Sequence, residues 1–125
     1  MVLCDTNVFI HAFNGRVDTI DQLNKIGLSD IVLSSITVME LFQGMGNKTE
    51  LAQMKKKIKF YDVIQIDEAI SQKATEFIEM YKLSHGLQIP DAIIGATAVI
   101  HQIPLYTYNV RDFDFIPSII LYQPA

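Results

Sequence analysis

Four acidic residues fall where a chain of alternating strands and helices would bring its loops together. Asp5 closes the short apolar run 1–5, and Glu40 lies one turn into the helix after the second apolar run. Asp91 follows Pro90 at the head of the apolar helical stretch QIPDAIIGATAVI. Asp112 sits in TYNVRDFDF, just past another strand-like segment. Carboxylates gathered at one point raise one another's pKa, and a hard divalent cation is the usual compensation. Mg2+ takes oxygen ligands and keeps several waters. Such an ion can acidify a bound water and steady the oxygens of a transferring phosphoryl group.

Each acid also has a plain structural explanation. Asp91 could cap its helix and meet the positive end of the dipole. Thr37-Val38-Met39-Glu40 fits a capping box. Asp5 before Thr6 and Asn7 could cap the first helix, and Asp112 and Asp114 could be solvated turn residues. Singly the acids are weak signals, and their convergence is what makes a site.

The remaining polar residues offer less. His11, His85 and His101 have no metal-ligand spacing and no cysteine partners, which favours surface or helix-end roles. No Gly-rich phosphate loop is present. Ser34 and Ser35 read as helix-start residues, since no G-x-S-x-G elbow surrounds them. Lys55, Lys56, Lys57 and Lys59 form the only basic cluster. It reads as a solvated helix face or as a contact for a phosphate backbone, with Lys55 and Lys59 on one side of the helix. Arg111, beside Asp112, is the competing phosphate contact.

Positioning these residues requires a particular order of elements. Residues 1–5 predict a buried strand, and TNVFIHAFNG a short helix ended by Asn14-Gly15. Val17, Ile20, Leu23 and Ile26 recur at helical spacing. DIVLSS predicts a second strand, ITVMELFQGMG and KTELAQMKKKIKF two helices, and DVIQI a third strand. Residues 67–84 form the longest amphipathic helix, with Gly86 placed to end it. The helix headed by Asp91 follows, then PLYTY as a fourth strand and SIILY as a fifth. Short apolar strands alternating with helices imply right-handed crossovers and a parallel sheet covered on both faces. Sites in such sheets gather beyond the carboxyl ends of the strands.

Composition sets the bounds. The chain has 125 residues, half of them hydrophobic, with mean hydropathy +0.23, which suits one domain (1–125) with a dense core. No apolar run approaches the roughly 20 residues needed to cross a bilayer, and MVLCDTN does not read as a secretory signal. Cys4 is the only cysteine, which excludes an intramolecular disulfide and a thiolate cluster; the expected setting is the cytoplasm. The net charge of −4 does not advertise nucleic-acid binding, so metal ions or local basic residues would have to offset it.

In order along the chain, four motifs resemble those of the PIN-domain family, most like the VapC-type toxins of prokaryotic toxin–antitoxin pairs. They are LCDTNVFI at 3–10, SSITVMELFQG at 34–44, IPDAIIGATAV at 89–99 and PLYTYNVRDFDFI at 104–116. The resemblance implies a three-layer α/β/α sandwich around a mainly parallel sheet of four to five strands. It implies a Mg2+- or Mn2+-dependent endoribonuclease, in which Asp5, Glu40 and Asp91 match the three principal acids and Asp112 the more variable fourth. Asn109 stands where some members carry a polar or acidic residue and could share or replace that role. Thr6, Asn7 and Thr107 match polar positions that steady the site. Homodimers and an antitoxin partner that blocks the site are also implied. Two rival readings are a PIN-like scaffold that binds RNA or protein without cleaving it, and a receiver-like Mg2+-binding signalling domain. The second calls for a lysine after a late strand, which TYNVRD lacks.

Overall fold

The computed structural model describes residues 1–124. Strands β1 (Val2–Cys4), β2 (Ile31–Ser34), β3 (Asp62–Ile64) and β4 (Leu105–Tyr106) form a sheet of order β3-β2-β1-β4. Every pairing is parallel: Leu3 lies opposite Val32 and Leu105, and Leu33 opposite Val63. Between the strands run helices α1 (Thr6–Phe13), α2 (Val17–Ile26), α3 (Ser35–Gln43), α4 (Lys48–Ile58), α5 (Glu68–His85) and α6 (Ile89–His101).

Strand alternation divides the core into two layers, because successive side chains point to opposite faces. Leu3, Val32 and Leu105 pack with Ile70, Ala74 and Phe77 of α5 and Ala92, Ile94 and Ala96 of α6. Val2, Cys4, Ile31, Leu33 and Tyr106 pack on the other face with Val8 and Phe9 of α1, Leu23 of α2, Leu41 of α3 and Met54 and Ile58 of α4. The expected α/β/α sandwich follows from this: β1 is apolar throughout and β2 at every position but Ser34, since each face meets a helical layer.

The strands are shorter than the apolar runs. At β4 the chain leaves the sheet at Thr107, whose hydroxyl accepts from the Asn109 N–H at 2.9 Å and turns the backbone. The fifth strand expected at SIILY shrinks to one parallel bridge. The Leu105 N–H donates to Ile120 O, and the Tyr122 N–H to Leu105 O, both at 2.8 Å. Pro117 and Pro124 bracket the segment and Ser118 sits at φ 67°, which leaves Leu121 alone in register. The capping-box reading of Thr37 and Glu40 also fails. Ser34 is the N-cap of α3 and accepts from the Ile36 N–H, so Glu40 stands in the helix interior. His11, His85 and His101 all occupy the last turns of their helices, where the C-terminal dipole favours them.

The sheet order makes the gap between β1 and β4 the point where the topology reverses. β1 leads outward to β2 and β3 on one side, and the chain then crosses back to place β4 on the other. Parallel sheets open a crevice there, beyond the strand carboxyl ends.

Candidate active site

All four predicted acids meet at that crevice. Asp5, Glu40, Asp91 and Asp112 line one cavity of about 450 Å³ together with Thr6, Asn7 and Asn109. Asp5 follows β1 directly and caps α1, so its backbone is held by sheet and helix at once. One carboxylate oxygen accepts from the Thr6 N–H and the other from the Thr107 hydroxyl, each at 2.8 Å. The Asp5–Thr107 bond spans the β1–β4 gap and ties the two strand ends together. Capping and site membership thus coincide in Asp5.

Glu40 is held through Thr6. The Thr6 hydroxyl lies 2.8 Å from Glu40 Oε1 and 3.0 Å from the Thr37 hydroxyl. A hydroxyl has one proton to donate. It can go to Glu40 or to the wholly buried Thr37, and the charged acceptor at the shorter distance, Glu40, is the stronger claimant. Thr6 therefore contacts both ends of the acidic cluster, with its N–H on Asp5 and its hydroxyl on Glu40.

Asp91 and Asp112 have no such tether among the described residues. Gln88 is the N-cap of α6 and Asp91 falls in the first turn, yet no N–H or hydroxyl among the described residues donates to its carboxylate. Its pKa is pushed up from 3.8 to about 7, first by burial and then by the negative charges of Asp5, Asp112 and Glu40. Asp5 is also pushed up, chiefly by burial, although the Thr107 and Thr6 hydrogen bonds work against it. Asp112 is exposed, in a single 3₁₀ turn, Val110–Asp112, after β4.

No three acidic, histidine or cysteine side chains among the described residues are close enough to enclose an ion unaided. The donor set still suits a hydrated hard cation. It consists of oxygen, it faces an open cavity, and two of its carboxylates, Asp91 and Asp112, lack a compensating donor among the described residues. Water would complete such a coordination shell, as Mg2+ prefers.

The basic residues divide. Arg111 lines a neighbouring cavity with Asn109 and Asp112. Lys55 of α4 and Lys59 at its C-terminal cap are exposed, while α4 turns Met54 and Ile58 to the core, and neither lysine lines the acidic cavity. Lys57 lies over the Phe13 ring, 5.0 Å from its centroid. Three lining residues lie within the quoted motifs but are not among the expected site residues: Ile10, Gln43 and Gly44. Helical spacing could have found them, since Ile10 lies three residues after Asn7, and Gln43 and Gly44 three and four after Glu40.

This fold and site define a class: α/β/α proteins that gather acidic side chains at the carboxyl edge of a parallel sheet. The chain belongs to the PIN-domain family, whose model matches residues 2–116. It is similar to Ribonuclease VapC1 of Methanocaldococcus jannaschii, 29% identical over 115 residues that cover 90% of this chain and 79% of that protein. Among solved structures it resembles a chain of a toxin–antitoxin complex from Klebsiella pneumoniae, with TM-score 0.82, 30% identity and 100% of both chains covered. FitAcB from Neisseria gonorrhoeae is also similar, with TM-score 0.79, 25% identity and 99% and 98% of the two chains covered. The receiver-like alternative falls away with the family and with the cavity, which no lysine lines.

Proposed function

We propose that residues 1–125 act as one nuclease domain, a Mg2+- or Mn2+-dependent endoribonuclease and the toxin of a VapBC-type pair. The observation that carries this reading is the convergence of Asp5, Glu40, Asp91 and Asp112 on one cavity at the β1–β4 crevice of a PIN-domain chain. Similarity to a protein named as a ribonuclease and to a toxin–antitoxin complex supports the substrate class and the partner. Asp5, Glu40, Asp91 and Asp112 are the groups that would hold the cation, which supplies an acidified water and charge stabilisation at the scissile phosphate.

The chain's own groups set the geometry. Thr6 and Thr107 fix Asp5, and Thr6 fixes Glu40. Asp91, partly buried at the head of α6 with no donor of its own, would be compensated by a cation held there. Asn7 and Asn109 complete the polar wall, with Asn109 able to share the part of Asp112. Arg111 serves as a phosphate contact, and Lys55 and Lys59 form an outlying face that could extend it.

A homodimer and an antitoxin that covers the cavity belong to the same reading, as does a cytoplasmic setting. No helix among the described residues is long and apolar enough to cross a membrane. The test is incubation of the purified protein with a panel of structured RNAs, with and without Mn2+, and mapping of product ends. Discrete cleavage that needs the cation and disappears in Asp91→Asn is expected. Cleavage that survives both chelation and Asp91→Asn would overturn the assignment.

A further inference from the structure

The acidic cavity does not stop at Asp112. Asn109 and Asp112 also wall a second cavity of about 460 Å³, bounded otherwise by Tyr108, Val110 and Arg111. That volume lies within the range of about 300–1,000 Å³ that suits small ligands. Its aromatic wall is held unusually firmly. The Tyr108 hydroxyl hydrogen-bonds Thr19 of α2 and, at 3.0 Å, the Tyr106 hydroxyl. His11 of α1 stacks on the ring, with centroids 4.8 Å and planes 24° apart, and Tyr106 meets it edge-on at 5.6 Å.

With all these tethers, Tyr108 is still 40% exposed. The ring is fixed at its polar end, backed by His11 and partly open, and it lines two cavities: this one with Arg111, and another with Asp18, Asp21 and Lys25. Aromatic rings bind nucleobases by stacking, and a ring already immobilised loses little entropy when a base lands on it. Asn109, next along the chain, carries both an acceptor and donors for the polar edge of a base. The Thr107 hydroxyl accepts from the Asn109 N–H while donating to Asp5, so one side chain sets the spacing between the two cavities.

We propose that this second cavity is a nucleobase subsite, in which one base of a single-stranded RNA stacks on Tyr108. Asn109 reads the edge of that base and Arg111 holds an adjacent phosphate, while the strand continues into the acidic cavity. The inference rests on the ribonuclease reading. It requires a single strand because bases in a duplex are already stacked on both faces. It makes Asn109 and Tyr108 specificity-determining residues for the cleavage position.

The test uses the Asp91→Asn protein, so that RNA survives, and fluorescein-labelled decanucleotides of U, of A, and of the same backbone with abasic units. Binding is followed by anisotropy. The base-bearing strands should bind more tightly than the abasic strand. Tyr108→Leu should weaken binding of the base-bearing strands by about tenfold, the scale of one lost stacking contact, and leave the abasic strand unaffected. Tyr108→Phe keeps the ring and should keep the preference. Arg111→Ala should weaken both kinds of strand together and preserve it. Equal loss for base-bearing and abasic strands in Tyr108→Leu would overturn the subsite and mark Tyr108 as a support for the turn. Equal binding of both strands before any change at Tyr108 would also overturn it. Neither outcome touches the ribonuclease reading, which stands or falls on cation-dependent cleavage by the unmodified chain.

Discussion

Among the four acids, Asp91 is the partly buried one without a hydrogen-bond donor, and this makes a pH-dependent prediction. Its folded pKa of about 7 lies above the ordinary 3.8. Between those values the folded chain binds more protons than the unfolded one, so metal-free stability falls as pH rises through that window and stays low above it. Asp91→Asn removes the penalty. In chelator, the variant should melt close to the unmodified protein at pH 4 and above it at pH 8. The side chain is half-exposed and solvent screens it, so the gain should be about 1–2 kcal/mol, well short of the full shift. Calorimetric melts across that range check this, and a difference that does not change with pH would remove like-charge crowding as the cause. Thr107 makes the complementary case. Thr107→Val deletes a donor to buried Asp5 and should cost about 1–3 kcal/mol in urea denaturation, along with cleavage activity. Thr107→Ser should restore both, because the hydroxyl and not the methyl group holds the carboxylate.

Helix α6 presents Asp91 to the crevice, and its small residues let it sit close to its neighbours. Ala92, Gly95, Ala96 and Ala98 are buried, and a Cβ on Gly95 would stand 2.8 Å from Ile116 Cδ1. Gly95→Ala therefore gains helix propensity of about 1 kcal/mol but pushes on a buried methyl group. The expected sign of the single change is a near balance, and the informative quantity is coupling. Paired with Ile116→Val, which removes Cδ1, Gly95→Ala should be more stable than the two separate changes predict, by about 0.5 kcal/mol or more. Strict additivity in urea melts would show that the C-terminal segment already yields at Ile116. Gly95→Val adds two further methyl groups in the same direction and should be destabilising by about 1–3 kcal/mol.

For the whole molecule the question is how an acidic protein holds a polyanion. With net charge −4 and a pI near 5.2, long-range attraction is absent, so phosphate contacts must be local. Arg111 stands beside the acidic cavity, while Lys55 of α4 and Lys59 at its C-terminal cap do not line it. In a salt series of RNA binding by the Asp91→Asn protein, Arg111→Ala should flatten the dependence by about one phosphate contact. The Lys55→Ala/Lys59→Ala pair should leave the slope nearly unchanged. The reverse pattern would move the bound strand off the crevice and onto α4.

Much of this was written in local pattern. Short apolar runs between amphipathic segments can only be parallel strands covered on both faces, so the layering and the acid-bearing loops were legible from periodicity. The boundaries were less so. Thr107 ends β4 early through a hydroxyl-to-backbone bond, and a positive φ at Ser118 between two prolines reduces the fifth strand to Leu121. Motif order marked Asp5, Glu40, Asp91 and Asp112, because carboxylates at strand ends are a local feature. Their ranking was not local. That Glu40 is reached through Thr6 while Asp91 has no donor depends on residues 31 to 102 positions apart meeting at the β1–β4 crevice. The chain by itself determined which groups could share a site, since residue type and period are written one position at a time. Tertiary structure alone decided which carboxylates are tethered, which basic residue stands beside the cavity and which tyrosine stays open. Those properties arise from burial and distance between segments that the sequence keeps far apart.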